Sequence, residues 1–126
     1  SSTTGKRRDG RTGVVSVEEY VTVNPTPPVN TVAPTVTGTH TTGQTLTVVD
    51  GTWTGIPTPT LTYQWVRADD DTGTNVANIS GQTASTYVLA GGDTGKYVSC
   101  KVTATNVAGS ANATAAYGAV IATDEN

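Results

Sequence analysis

The 126-residue chain carries a net charge of −3, with 35% hydrophobic residues, no Met, no Phe and a single Cys. That length is short for two hydrophobic cores, and one cysteine excludes an internal disulfide and identifies no oxidising compartment. No run of eighteen apolar residues is present, so nothing reads as a spanning helix; the dominance of Thr, Val, Ala and Gly favours strands joined by turns.

In chain order, residues 1–13 are polar and Gly-containing and read as a flexible arm. Lys6, Arg7, Arg8 and Arg11 against Asp9 give residues 1–11 a net +3, so against a total of −3 the remaining residues hold −6. The segment "VVSVEEYVTV" (14–23) has high β-propensity and is a candidate strand. In "NPTPPVNTVAP" (24–34) four of eleven residues are proline, a composition that disfavours a central ladder and tends to polyproline geometry. The expected organisation is an arm over 1–23, a Pro-rich linker over 24–33, a β-domain over 34–122 and a tail over 123–126.

From Pro34 onward, β-like runs alternate with turn signals: "PTVTGT" (34–39), "QTLTVVD" (44–50), "LTYQWVRA" (61–68), "TNVANIS" (74–80), "STYVLA" (85–90), "KYVSCKVTATN" (96–106) and "ANATAAYGAVIA" (111–122). About seven short strands at this spacing predict an all-β sandwich. Period-2 alternation puts Leu61, Tyr63 and Trp65 on one face of the third run, with Trp65 at the core centre. In the sixth run it puts Val98, Cys100, Val102 and Ala104 on one face. Cys100 then reads as a small buried hydrophobe, with a reactive thiol or an intermolecular bridge as alternatives.

These motifs resemble a known family. Pro34-x-Val36-x-Gly38, Gly43-Gln-x-Leu46-x-Val48, Gly51-x-Trp53-x-Gly55 and Tyr63-x-Trp65 are similar to the opening of the Ig-like modules of bacterial surface proteins and tailed-bacteriophage structural proteins. Ile79-Ser-Gly-Gln-Thr, Ser85-Thr-Tyr87, Asp93-Thr-Gly95-Lys and Val102-Thr-Ala-Thr-Asn106-Val-Ala-Gly109-Ser continue the match, over about residues 32–121. The resemblance implies an Ig-like β-sandwich preceded by an extended N-terminal arm. Asp93-x-Gly95-x-Tyr97 suits a chain corner in which Asp accepts local N–H groups, Gly relieves the turn and Tyr returns its hydroxyl to the backbone. The position where that signature carries cysteine is Ser99, and the partner strand offers Leu46 and Val48, so cross-sheet hydrophobic contact stands in for a disulfide.

Chemistry-bearing residues are few. Trp53 between two glycines suits packing over a sheet edge, or a stacking platform for sugars. His40 lies in the turn "GTHTTG" and reads as a solvated loop residue, apart from the buried strand of Cys100, which leaves no nucleophile and base together. "ADDDTGTN" (68–75) clusters Asp69, Asp70 and Asp71 without the ligand spacing of a calcium loop and reads as a strand-to-strand turn. Asn78-Ile-Ser80 and Asn112-Ala-Thr114 fit a glycosylation sequon that matters only in a secretory pathway. No catalytic set, metal site or cofactor is expected. The basic arm reads as a solvated terminus, as a dock for an acidic protein surface or, being short and without aromatics, less well as a nucleic-acid tail.

What the resemblance implies for function is a non-enzymatic structural or decoration protein on the exterior of a tailed-bacteriophage virion. Lys6, Arg7, Arg8, Arg11, Val21 and Val23 would grip capsid or tail proteins, and the sandwich, Trp53 included, would face host surface glycans. The alternative is a spacer or glycan-binding module of a bacterial surface adhesin or secreted carbohydrate-active enzyme. Neither involves a membrane.

Overall fold

A computed structural model describes residues 24–123. The arm residues Lys6, Arg7, Arg8, Arg11, Val21 and Val23, the candidate strand 14–23 and the last three residues of the tail lie outside them.

The described residues form an all-β sandwich of short strands, ten in all with a separate two-stranded sheet counted in. The predicted runs appear as β2 (Thr35–Thr37), β3 (Thr45–Val49), β5 (Thr60–Ala68), β6 (Ala77–Asn78), β7 (Thr86–Val88) and β8 (Tyr97–Asn106). The last run divides into β9 (Gly109–Thr114) and β10 (Gly118–Ala119), which follow the same edge of β8. Strands β2, β3 and β7 form one antiparallel sheet; β10 and β9, β8, β5 and β6 form the other. This division of first, second and fifth against third, fourth, sixth and seventh strands is the immunoglobulin arrangement.

Alternation sets the core. Trp65 pairs with Cys100, Tyr63 with Val102 and Leu61 with Ala104 across β5 and β8, so the inward faces read from the sequence coincide. Trp65, Val98, Cys100, Val102 and Ala104 are wholly buried. Against them the second sheet brings Leu46, Val48, Tyr87 and Leu89. The Trp65 and Tyr87 rings stack across the sandwich at 5.6 Å between centroids, and the Trp65 indole N–H donates to the Ala84 carbonyl at 2.8 Å. Truncating an aromatic in such a place costs about 3–5 kcal/mol. On the β2–β3–β7 sheet the outward positions are uncharged and β-branched: Thr35, Thr37, Thr45, Thr47, Val49, Thr86 and Val88 are all exposed.

Two strands were not expected. The Pro-rich segment read as a linker is β1 (Thr26–Val32), and it pairs antiparallel with β4 (Thr52–Ile56), read as the rim between two glycines. Polyproline and β backbone adjoin in φ/ψ space, so prolines do not prevent an edge strand when the missing N–H groups fall at irregularities. Here the register shifts between Thr26 and Val29, across Pro27 and Pro28. Pro28 is buried, and the Asn30 amide donates to the Val32 and Thr52 carbonyls at 2.8 and 3.1 Å. Gly51 (φ +76°) makes the pairing reachable, because a Cβ there would collide with the Val32 carbonyl.

Asn106, at the end of β8, ties this annex to the sandwich. Its amide donates to the Thr26 and Pro57 carbonyls at 2.8 and 2.9 Å, and its oxygen accepts from the Ala108 N–H at 2.9 Å. Asn106→Ala is expected to lower the unfolding free energy by about 0.5–1.5 kcal/mol, the net worth of an ordinary hydrogen bond, since these partners are exposed and can turn to water. Urea denaturation measures the loss, and hydrogen exchange should show amides of β1 and β4 losing protection before those of β8.

Candidate functional site

Six of the eight charged side chains in residues 24–123 gather at one pole of the sandwich: Arg67, Asp69, Asp70, Asp71, Asp93 and Lys96, with Asp50 and Lys101 elsewhere. The pole is built on Asp93, which ends a single 3-10 turn (Gly91–Asp93) and is 0% exposed. Its carboxylate accepts from the Ala90 N–H at 2.9 Å, from the Tyr87 hydroxyl and from Arg67 Nη1 at 2.6 Å. One buried charge therefore fixes a strand of each sheet and the connecting turn. Burial, and then the bond to Asp93, push the Tyr87 hydroxyl up to about 12.

Arg67 keeps 38% of its side chain exposed and lines a cleft of about 260 Å³ with Ala68, Asp69, Asn75, Ala77, Gly92 and Lys96. The cleft walls are braced. Lys96 Nζ donates to one Asp69 oxygen and Asn75 Nδ2 to the other, both at 2.8 Å, and these bonds, that of Lys96 foremost, hold the Asp69 carboxyl below the usual range. Asn75 takes a left-handed backbone (φ 53°), a conformation Asn tolerates better than most residues. Asp70 orders the loop beneath it by accepting from Thr72 N at 3.0 Å, Thr72 Oγ1 at 2.7 Å and Thr74 N at 3.1 Å. Hydrogen bonds from Thr74 and then Thr72 pull its carboxyl well below the ordinary value. The acidic run thus serves its own turn, and among the described residues no three His, Cys, Asp or Glu side chains come together as a metal site.

Trp53, the glycan candidate, lies on β4 and does not line the cleft. It is half-buried, packs against the core and donates its indole N–H to the Asp50 carbonyl at 2.8 Å. Asp50 also accepts from the Tyr63 hydroxyl at 2.6 Å; that bond first, and burial second, raise Tyr63 to about 12. Cys100 is fully buried, and desolvation pushes its thiol up to about 11, far from a reactive thiolate at neutral pH. Gly95 adopts φ +83° in the corner, as that turn requires. Tyr97 does not close the corner: among the described residues its hydroxyl has no hydrogen-bond partner, and Tyr87 supplies the hydroxyl that reaches Asp93.

His40 departs from its expectation as a solvated loop residue. Its ring lies over Gly118, and Nε2 is shut from solvent with no hydrogen-bond partner among the described residues. Local sequence marks a turn there; the contact is made by β10, 78 residues later in the chain.

Of the cleft residues, only Asp69 drew attention from sequence, as part of an acidic turn. Arg67 read as a strand end and Lys96 as the residue after a corner. No short motif joins positions 67, 75 and 96, which meet only because β5 and β8 pair along their full length. No protein-family model matches the chain, and no curated protein matches it. Its chemistry is therefore read from the site alone.

Two outcomes follow. Gly118→Ala should cost about 1–3 kcal/mol by overpacking against His40, and His40→Ala should recover most of that loss, as a double-mutant cycle in urea would show. At high pH the three raised groups act in one direction. The unfolded tyrosines ionise near 10.0 and the unfolded thiol near 9.0, below their folded values of about 12 and 11. Their contribution to stability is whole below those unfolded values and is lost as pH rises through the folded ones. Urea midpoints followed from about pH 8 to 12 should fall with increasing pH, and less steeply in the Tyr63→Phe/Tyr87→Phe variant.

Proposed function

We propose that the chain is a non-enzymatic structural protein displayed on the exterior of a tailed-bacteriophage virion, held through residues 1–23 and projecting its Ig-like sandwich outward. The observation that carries the reading is where the chain enters and leaves. Thr26 is fastened by Asn106 at the pole of the β8–β9 turn. The chain departs at the opposite pole, where Val120 and Ile121 bond to Lys96 and His40. An arm gripping an assembly would therefore face the β8–β9 pole toward it and the charged pole away from it.

The groups near the entry pole suit that orientation. Ile56, Val29 and Val107 are exposed there, Val107 by 81%, and no charged side chain belongs to β1, β4 or the β8–β9 turn. The basic residues of the arm would supply attraction to an acidic protein surface, and Val21 and Val23 would add strand pairing. Residues 26–32 are paired as β1 in the annex beside the sandwich, so on this reading the arm would lead into the folded domain without a free spacer. Many copies on a particle would let weak outward contacts with host surface glycans add up.

Entry and exit at opposite poles also favour a second reading, a spacer or glycan-binding module in a string of modules of a bacterial adhesin or secreted carbohydrate-active enzyme. Removal of residues 1–23 discriminates. On the first reading the shortened chain keeps β1 and its melting temperature but no longer binds purified virions or capsids. Undiminished binding would sink the anchoring mechanism, and a gene carrying these residues within a chain of many hundreds would favour the second reading.

A further inference from the structure

The geometry points to the cleft of the charged pole as a binding site for one residue of a neutral saccharide. This inference deepens the display reading, resting on it only for the claim that the pole faces outward.

The ligand class follows from what the cleft offers. Arg67 and Lys96 only donate, Asp69 only accepts, and Asn75 does both. Each spends only part of its capacity within the protein: Arg67 on Asp93, Lys96 on Asp69, and Asn75 through one amide hydrogen on Asp69. Donors and acceptors therefore both face an open space. Sugar hydroxyls, which donate and accept at once, satisfy such a rim, whereas an apolar ligand would strand it. Ala77 leaves small apolar ground beside the polar groups.

Charge separates neutral from acidic sugars. The cleft's cations, Arg67 and Lys96, are balanced by Asp93 behind it and Asp69 in its wall, so a carboxylated or sulfated sugar finds neither cation unpaired. Both cations are already neutralised by a partner carboxylate at 2.6 and 2.8 Å. Preorganisation is partial: the buried Asp93 clamps Arg67, while Lys96 and Asn75 are held only by exposed bonds to Asp69 and give up side-chain freedom on binding. Among the described residues no aromatic ring lines the cleft, so they offer no face stacking and a single site should be weak, with a dissociation constant of about 1–10 mM for a monosaccharide-sized ligand.

The test is an amide-resolved NMR titration of the full chain with methyl α-D-glucopyranoside, methyl β-D-galactopyranoside, methyl α-D-mannopyranoside and N-acetylglucosamine, with glucuronate as the anionic arm. Saturable shifts confined to residues 67–69, 75–77, 92 and 96 with at least one neutral sugar are expected. Asn75→Ala and Lys96→Ala should each weaken binding by about five-fold or more, the loss of one hydrogen bond to a ligand, with Trp53→Phe unchanged. No saturation by any neutral sugar, shifts centred on Trp53, or a response to glucuronate alone would overturn the assignment. Virion binding is read separately: a chain that binds virions and none of these sugars overturns the cleft alone, and one that binds sugar but not virions supports the cleft and sinks the anchoring mechanism.

Discussion

A single buried carboxylate, that of Asp93, organises both the sandwich and its charged pole. Antibody domains pin their two sheets with a disulfide; here Cys100 has no partner within the chain, and Asp93 joins Arg67 of β5 to Tyr87 of β7 across the same gap. Such a pair is not an efficient source of net stability, because desolvating the ions offsets much of their attraction. Its strength lies in the penalty for anything else. An alternative packing that separates Asp93 from Arg67 would leave a charge without water and without a counterion, which costs about 3–5 kcal/mol. The carboxylate thus selects one relative placement of the sheets, with Trp65 and Tyr87 stacked in the space between.

How much of this was legible depends on the range of the interaction that decides each residue. The all-β class, strands within the first six runs, the inward register of Cys100 and the central position of Trp65 follow from patterns over a few residues, and the structure keeps them. What escaped is decided by partners far along the chain. The segment 26–32 is locally a polyproline candidate and becomes a strand only because 52–56 pairs with it and Gly51 lets the two backbones approach. His40 is locally a turn residue, and Gly118 makes it a packed one. In the corner signature, Asp93 and Gly95 are specified by turn chemistry close at hand. The tyrosine is specified by which ring faces Asp93 across the sandwich, and that is Tyr87.

The cleft was illegible for the same reason in stronger form. Arg67, Asn75 and Lys96 belong to a strand, a loop and the entry to another strand, with no spacing a short pattern could express. One general signal was present: in a domain with so few charged side chains, their clustering at 67–71 and 93–96 places them on two segments that an Ig-like topology brings together. Charge scarcity makes each position informative, since a solvated surface would scatter such residues with both signs interspersed.

That scarcity also poses a problem the fold must meet by other means. Sheet edges expose unpaired backbone groups that template aggregation, and charged side chains are a common deterrent. This domain relies on shape. The edges of the β2–β3–β7 sheet are strands of three residues, β6 has two, and β1 carries prolines where a neighbour would seek N–H donors. Along β8 the outer strand is broken between Thr114 and Gly118, where the Ser99 hydroxyl takes the Ala115 carbonyl at 2.6 Å. With edges blunted by length and interruption, the faces can remain Thr- and Val-rich without inviting pairing. The polar side chains are then free to concentrate at one end. The sandwich between the two poles is left with only Asp50 and Lys101 as charged side chains among the described residues, a nearly uncharged shaft that separates a bare pole from a chemically furnished one.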